Sequence, residues 1–201
     1  MSARKFAVML VLGGMLTSCA STGFRYHTLL VPDSGQQQAP AAVRLRLVSL
    51  RIPAEIDTQQ LVLRSGASSV DIQTGDHWAA PLTDEVRAAL EDTWRRQYGI
   101  ENTRVNGADD VDVARVGVEI EKLDANQSGN VVMVADWWLA LGDGRSEHRI
   151  ECQSTLTRSG GAGVDGVVAS DQWLVQDLAK DVASVVLQSN PSAPLTCPAK
   201  S

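Results

Sequence analysis

No apolar run in this chain is long enough to cross a bilayer. The leader-like stretch from Phe6 to Leu16 falls short of a hydrocarbon core of roughly 30 Å, so a transmembrane helix is excluded as the anchor. Catalytic signatures are missing too. There is no Gly-x-Ser-x-Gly elbow, Walker loop or dinucleotide fingerprint. The three histidines, His27, His77 and His148, lie in unrelated segments without ligand spacing such as His-x-x-x-His, so no metal and no cofactor is expected. Basic clusters are absent and the formal charge is −6, which makes nucleic acid and anionic membrane surfaces poor partners. Aromatic residues are only 4% of the chain, yet they include five Trp against two Tyr and two Phe. Cysteine is scarce as well, with Cys19, Cys152 and Cys197 the whole supply.

What is present begins at the N-terminus. Arg4 and Lys5 precede the apolar stretch, and Leu16-Thr17-Ser18-Cys19 closes it. A basic start, a short apolar run and small residues before a cut form a secretory signal. With cysteine first after the cut, the pattern resembles a bacterial lipobox. That implies removal of residues 1–18 and lipid on the sulfur and amine of Cys19. An ordinary secretory signal with an incidental cysteine is the other reading of these residues. One acyl chain anchors marginally, at about 0.8 kcal/mol per buried methylene, whereas several make attachment practically permanent. Arg4 and Lys5 leave with the leader, so the mature chain is more acidic still. Residues 19–201 suit one domain with tails. In an oxidising compartment Cys152 and Cys197 are left to pair. Such a bridge adds about 4 kcal/mol in the chain-entropy picture and pins the Pro191–Cys197 tail; two free thiols are the alternative.

Residues 20–23 read as a short tether and Phe24 to Val31 as a strand; Pro32 to Pro40 is loop-like. Val43-Arg44-Leu45-Arg46-Leu47 alternates apolar and basic, which indicates a strand with one buried face, ended by Pro53. Leu61–Arg64 and Val70–Ile72 are two short strands turned at Ser65-Gly66. Pro81 opens the clearest helix. Leu82, Val86, Ala89, Leu90, Trp94 and Tyr98 recur at helical spacing, and Gly99 stops it. Asp84 and Glu85 at its start, with Arg95 and Arg96 near its end, suit the macrodipole. Ile100–Val105 is a further strand candidate. Residues 115–124, 130–141 and 147–157 then read as three long strands in sequence, with Gly142-Asp143-Gly144 as a tight turn. A second helix, about Asp165 to Gln188, carries Val168, Val175, Leu178, Val182 and Val185 as its stripe. The expected fold class is α+β: a mainly antiparallel β-sheet with two main α-helices packed on one face.

Candidate chemistry is thin, and no catalytic residue is assigned. His148, Glu151 and Cys152 suggest a ligand set or thiol nucleophile, but residues 148 and 151 point to opposite faces of their strand. Glu119 and Glu121 share one strand face, as paired carboxylates can for acid–base work, though a solvated face explains them as well. Gly160-Gly161-Ala162-Gly163 precedes a helix without a basic residue placed for phosphate, so a plain loop is expected. Trp137 and Trp138 are adjacent and face opposite ways, one into the core and one outward. An outward Trp favours a protein or lipid contact. Trp78 and Trp173 are expected in the core.

Several segments fall in a familiar order. Tyr26-His27-Thr28-Leu29 follows the lipobox. Then come Ile52-Pro53-Ala54-Glu55-Ile56-Asp57, Gln60-Leu61-Val62-Leu63-Arg64 and His77-Trp78-Ala79-Ala80-Pro81-Leu82. Together they resemble the ABC-type transport auxiliary lipoprotein family, which includes the paraquat-inducible protein C lipoproteins. The matching positions are Tyr26, Pro53, Leu61, Val62, Arg64, Trp78, Pro81 and Leu82, although Tyr26 to Leu29 carries one residue more than the family's Tyr-x-Leu. The resemblance implies a family domain over residues 24–190, followed by a Pro-rich tail at 191–201 that departs from the family's usual end. It further implies a non-enzymatic lipoprotein of a Gram-negative envelope, anchored to the outer membrane and facing the periplasm. Its implied partners are an MCE-domain protein and permease that move lipid between membranes, and some members form homo-oligomeric rings. Ala20, in place of Asp after the cysteine, fits outer-membrane sorting. A scaffold lipoprotein of another outer-membrane complex fits the anchor and fold equally well; a periplasmic hydrolase is the remotest class.

Overall fold

The computed structural model describes residues 23–32, 38–41, 43–103, 113–142, 148–188 and 194–199. The leader, Cys19, and Asp143 and Gly144 of the expected turn lie outside the described residues. Eight strands and two helices are described, in the order β1 (Arg25–His27), β2 (Arg44–Arg51), β3 (Gln60–Arg64), β4 (Val70–Trp78), α1 (Leu82–Tyr98), β5 (Glu101–Asn102), β6 (Val113–Ala125), β7 (Asn130–Leu141), β8 (His148–Ser159) and α2 (Val164–Gln188).

The α+β expectation holds, but the strands form two mixed sheets. The larger runs β5-β2-β6-β7-β8 and the smaller β1-β4-β3. β6, β7 and β8 make the expected antiparallel meander. β2 lies parallel to both β5 and β6, and β1 lies parallel to β4. The parallel pairs follow from connectivity. Between β2 and β6 the chain makes the smaller sheet's hairpin, α1 and β5, so it re-enters the large sheet from the same end.

Alternation drives the core. On β7, Val131, Met133, Ala135, Trp137 and Leu139 are buried to 2% exposure or less, all on the side covered by α2. The α2 stripe of Val175, Leu178, Val182 and Val186 packs there, and α1 adds Val86, Leu90 and Trp94. Trp94 is fully buried and its indole N–H donates to the Ala179 carbonyl at 3.0 Å, which locks the two helices together. α1 begins after Pro81, as expected, and Asp57 Oδ1 accepts the Thr83 amide at 2.9 Å. That bond satisfies one of the donors left open at a helix start. The Gly160–Gly163 loop is structural: Gly163 N donates to Gln127 O at 3.0 Å, and Ser170 Oγ donates to Gly129 O at 2.8 Å. It ties the start of α2 to the β6–β7 turn.

Three expectations need correction. The first strand covers only Arg25–His27, because Thr28 and Leu29 turn away to donate to Glu85 Oε2 at 2.7 and 2.9 Å. The strand read as Val70–Ile72 continues to Trp78, past Gly75 and Asp76. Trp173 is 46% exposed, since it sits off the apolar stripe of α2. Trp78, at 3% exposure, is in the core as expected.

Candidate functional site

Cys152 and Cys197 form a disulfide. The thiol-nucleophile reading of Cys152 is thereby removed, and the bridge clasps the segment after α2 onto β8, the edge strand of the large sheet. Leu195, on the clasped segment, packs against the core. Among the described residues no group of three or more His, Cys, Asp or Glu is placed to hold a metal. His148 and Glu151 are both exposed.

The feature with the shape of a binding site lies on the helix-free face of the large sheet. Its register stacks residues in rows. Ser49, Gly117, Trp138 and Glu151 form one row, and Arg51, Glu119, Asp136 and Gln153 the next. A bulge at Val48 of β2 brings Ser49 opposite Gly117. Together these rows line an open depression of about 490 Å³. Gly117 is its floor: any β-carbon there would collide with Trp138 Nε1, so glycine lets the indole lie across the sheet. The Arg149 guanidinium stacks over the same ring at 4.3 Å and also bonds Glu151 Oε1 at 3.1 Å. Arg51 meets Glu119 at 3.5 Å, and Gln153 donates to Asp136 Oδ1 at 2.9 Å. The result is a half-buried indole ringed by paired polar groups. Such a surface suits a protein partner, where Trp and Arg anchor contacts and charges set register. Of the sequence's outward candidates, Trp138 and Glu119 fall in this depression. Glu121 sits beside it, exposed, at a bulge between Ile120 and Lys122.

The buried neighbour, Trp137, donates its indole N–H to Ser154 Oγ at 3.0 Å, and Ser154 donates on to Asp181 Oδ2 at 2.6 Å. Burial pushes the Asp181 carboxyl up, partly offset by the Ser154 bond. This chain crosses from sheet to α2 beneath the depression.

The resemblance residues are spread from Tyr26 to Leu82 in sequence, but the fold gathers four of them. Leu61, Val62, Trp78 and Leu82 line one tight apolar crevice between the small sheet and α2. Arg64 is bonded to Asp124 at 2.6 Å. Pro53 and Pro81 fix turns, each carbonyl accepting two amides within 3.1 Å. Tyr26 stands apart, 66% exposed on β1. The crevice also holds a residue that sequence reading passed over. Asp171 is buried, its Oδ1 has no hydrogen-bond partner among the described residues, and burial pushes its carboxyl up to about 8. The available signal was its place on the α2 stripe, three residues after Val168 and four before Val175. A second polar cluster, of Arg25, His27 and Asp76, was also missed. Burial pushes Asp76 up, but hydrogen bonds from His27 and Arg25, both at 2.8 Å, outweigh it and hold the carboxyl below its ordinary range.

A family model described as the ABC-type transport auxiliary lipoprotein component matches residues 27–183. Two solved structures share the fold. A crystal structure of an uncharacterized protein aligns at TM-score 0.63 and 19% identity, covering 81% of this chain and 97% of its own. A Xanthomonas campestris protein of the DUF330 family aligns at TM-score 0.59 and 13% identity, covering 82% and 94%. No curated protein matches the sequence.

Proposed function

The chain belongs to the family of ABC-type transport auxiliary lipoprotein components, and from that membership we propose that it is a non-catalytic accessory lipoprotein of an MCE-type lipid transport system. Cys19 anchors it to the outer membrane through acyl chains, residues 19–23 act as the tether, and the domain of residues 24–190 works in the periplasm. It contributes to lipid movement between the membranes and so to envelope integrity. Its partners are the MCE-domain protein and permease of the same system, with a homo-oligomeric ring as the working assembly. The energy for transport comes from elsewhere, since the sequence carries no nucleotide loop. The observation that carries this reading is the family match over residues 27–183, which takes in the fold from the last residue of β1 into α2. The Trp138 depression is the docking face in this reading, because it offers an anchor ring on a rigid sheet.

Purification of the tagged protein from gently solubilised native membranes tests it. Recovery of an MCE-domain protein or its permease, persisting in Cys19→Ala and lost in Trp138→Ala, is the expected result. Reproducible recovery of a different outer-membrane complex without MCE components would move the chain to the scaffold reading.

A further inference from the structure

The outer face of the small sheet is unusually apolar. Phe24 is 64% exposed, Tyr26 66%, Val70 51% and Ile72 61%. Register places them on one side. Tyr26 pairs with His77, whose neighbour Trp78 points inward. Ile72 pairs with Val62 and Val70 with Arg64, while Leu61 and Leu63, at the alternate positions of β3, are buried; an irregularity between Gln60 and Val62 lets Ile72 and His77, five residues apart on β4, share this side. Both aromatic rings are positioned by one imidazole: Phe24 meets His77 edge-on at 5.1 Å, and Tyr26 lies tilted at 5.8 Å. The adjacent cations are drawn aside into ion pairs, Arg25 to Asp76 at 2.8 Å and Arg64 to Asp124 at 2.6 Å. A face of this kind, aromatic and aliphatic with its charges paired off, marks an interaction surface on a protein in water. Amphipathic rings such as Tyr favour the headgroup level of a bilayer.

Chain length says which surface it meets. Phe24 comes five residues after Cys19. A fully extended chain spans at most about 3.6 Å per residue, so Phe24 cannot stand more than about 18 Å from the lipidated cysteine. We propose that Phe24 and Tyr26, flanked by Val70 and Ile72, form a second membrane contact, seated in the headgroup region of the bilayer that holds Cys19. This rests on the lipoprotein reading above. The contact is apolar, so salt does not weaken it. Acyl chains alone would leave the domain swinging on its tether; the aromatic contact fixes which side faces the lipid.

The test uses the acylated chain in vesicles of phosphatidylethanolamine with a minor share of phosphatidylglycerol. Nitroxides are placed singly through Phe24→Cys, Tyr26→Cys and Ile72→Cys, with Thr155→Cys, exposed on the large sheet, as reference. Collisions with oxygen and with an aqueous nickel complex report depth. The proposal expects the oxygen-to-nickel ratio at positions 24, 26 and 72 to exceed that at 155 several-fold, unchanged at about 1 M salt. It also expects the ratio at 72 to fall towards that at 155 when Phe24→Asn and Tyr26→Asn are combined. An acylated, vesicle-bound chain whose three positions are as wet as 155 overturns the contact and leaves the lipoprotein reading standing. Spin–spin broadening at position 26 without an oxygen preference also overturns it, by assigning the face to a second copy. An unmodified Cys19 with the chain in the aqueous fraction defeats the lipoprotein reading and this contact with it.

Discussion

The two sheets answer the same problem differently. Each buries one face and leaves the other without a helix. The large sheet hides its inner face under α1 and α2 and dresses its outer face with pairs: Arg51 with Glu119, Gln153 with Asp136, and Arg149 across Trp138. The small sheet buries Leu61, Leu63 and Trp78 but leaves Phe24, Tyr26, Val70 and Ile72 in the open. A surface of compensated charges around one ring suits a protein contact whose register the charges set, whereas an uncompensated apolar strip suits a contact that excludes water. One small domain thus offers two chemically distinct faces.

Breaking the covered side should cost most. Trp94→Ala empties a fully buried site and removes the indole bond to the Ala179 carbonyl, for an expected loss of about 3–5 kcal/mol in urea unfolding; a loss under about 1 kcal/mol would contradict the packing described. The clasp comes next. Cys197→Ala should lower stability by about 2–4 kcal/mol, and a reductant should lower the parent by the same amount but leave the variant unchanged. Equal sensitivity of both chains to reductant would show that the bridge contributes nothing.

Asp171 sharpens the comparison at the seam between the small sheet and α2. Its folded carboxyl releases its proton near 8, its unfolded carboxyl near 4, so the folded state holds the extra proton between those values. Stability from this group is therefore unimpaired below about pH 4, falls as pH rises towards 8, and then levels off, by an amount on the order of a few kcal/mol. Asp171→Asn should flatten that slope and be more stable than the parent at pH 8. Parallel melting curves for the two chains across pH 5–8 would rule this out. Least affected should be the open faces themselves. Trp138→Ala, and separately Phe24→Asn with Tyr26→Asn, should each leave solution stability within about 1 kcal/mol while weakening partner recovery and membrane immersion respectively. A variant that melted well below the parent would mean that its face is structural.

Much of the large sheet was legible because its signals are local. Alternation from Val131 to Leu139 gave β7 its bounds, Pro81 and Gly99 gave α1 its ends, and two cysteines gave the clasp. Non-local pairing was not legible: nothing in Arg44–Arg51 tells that it lies between β5 and β6, parallel to both. Gly75 and Asp76 disguised the length of β4, since neither favours a strand by itself. The parity of Trp137 and Trp138 was readable, and the depression around Trp138 was half so. Its floor, Gly117, becomes meaningful only when register sets it under the indole. The resemblance positions were readable as a pattern, but their convergence on the Asp171 crevice is tertiary.

The clasp also ties the segment after α2 to its redox surroundings. A bond between Cys152 and Cys197 persists in an oxidising compartment and opens to a reductant. When it opens, Leu195 loses the covalent tie beside it that holds it against the core, while β8 keeps its pairing with β7. The edge of the large sheet thus carries a latch that redox conditions, rather than a ligand, can release.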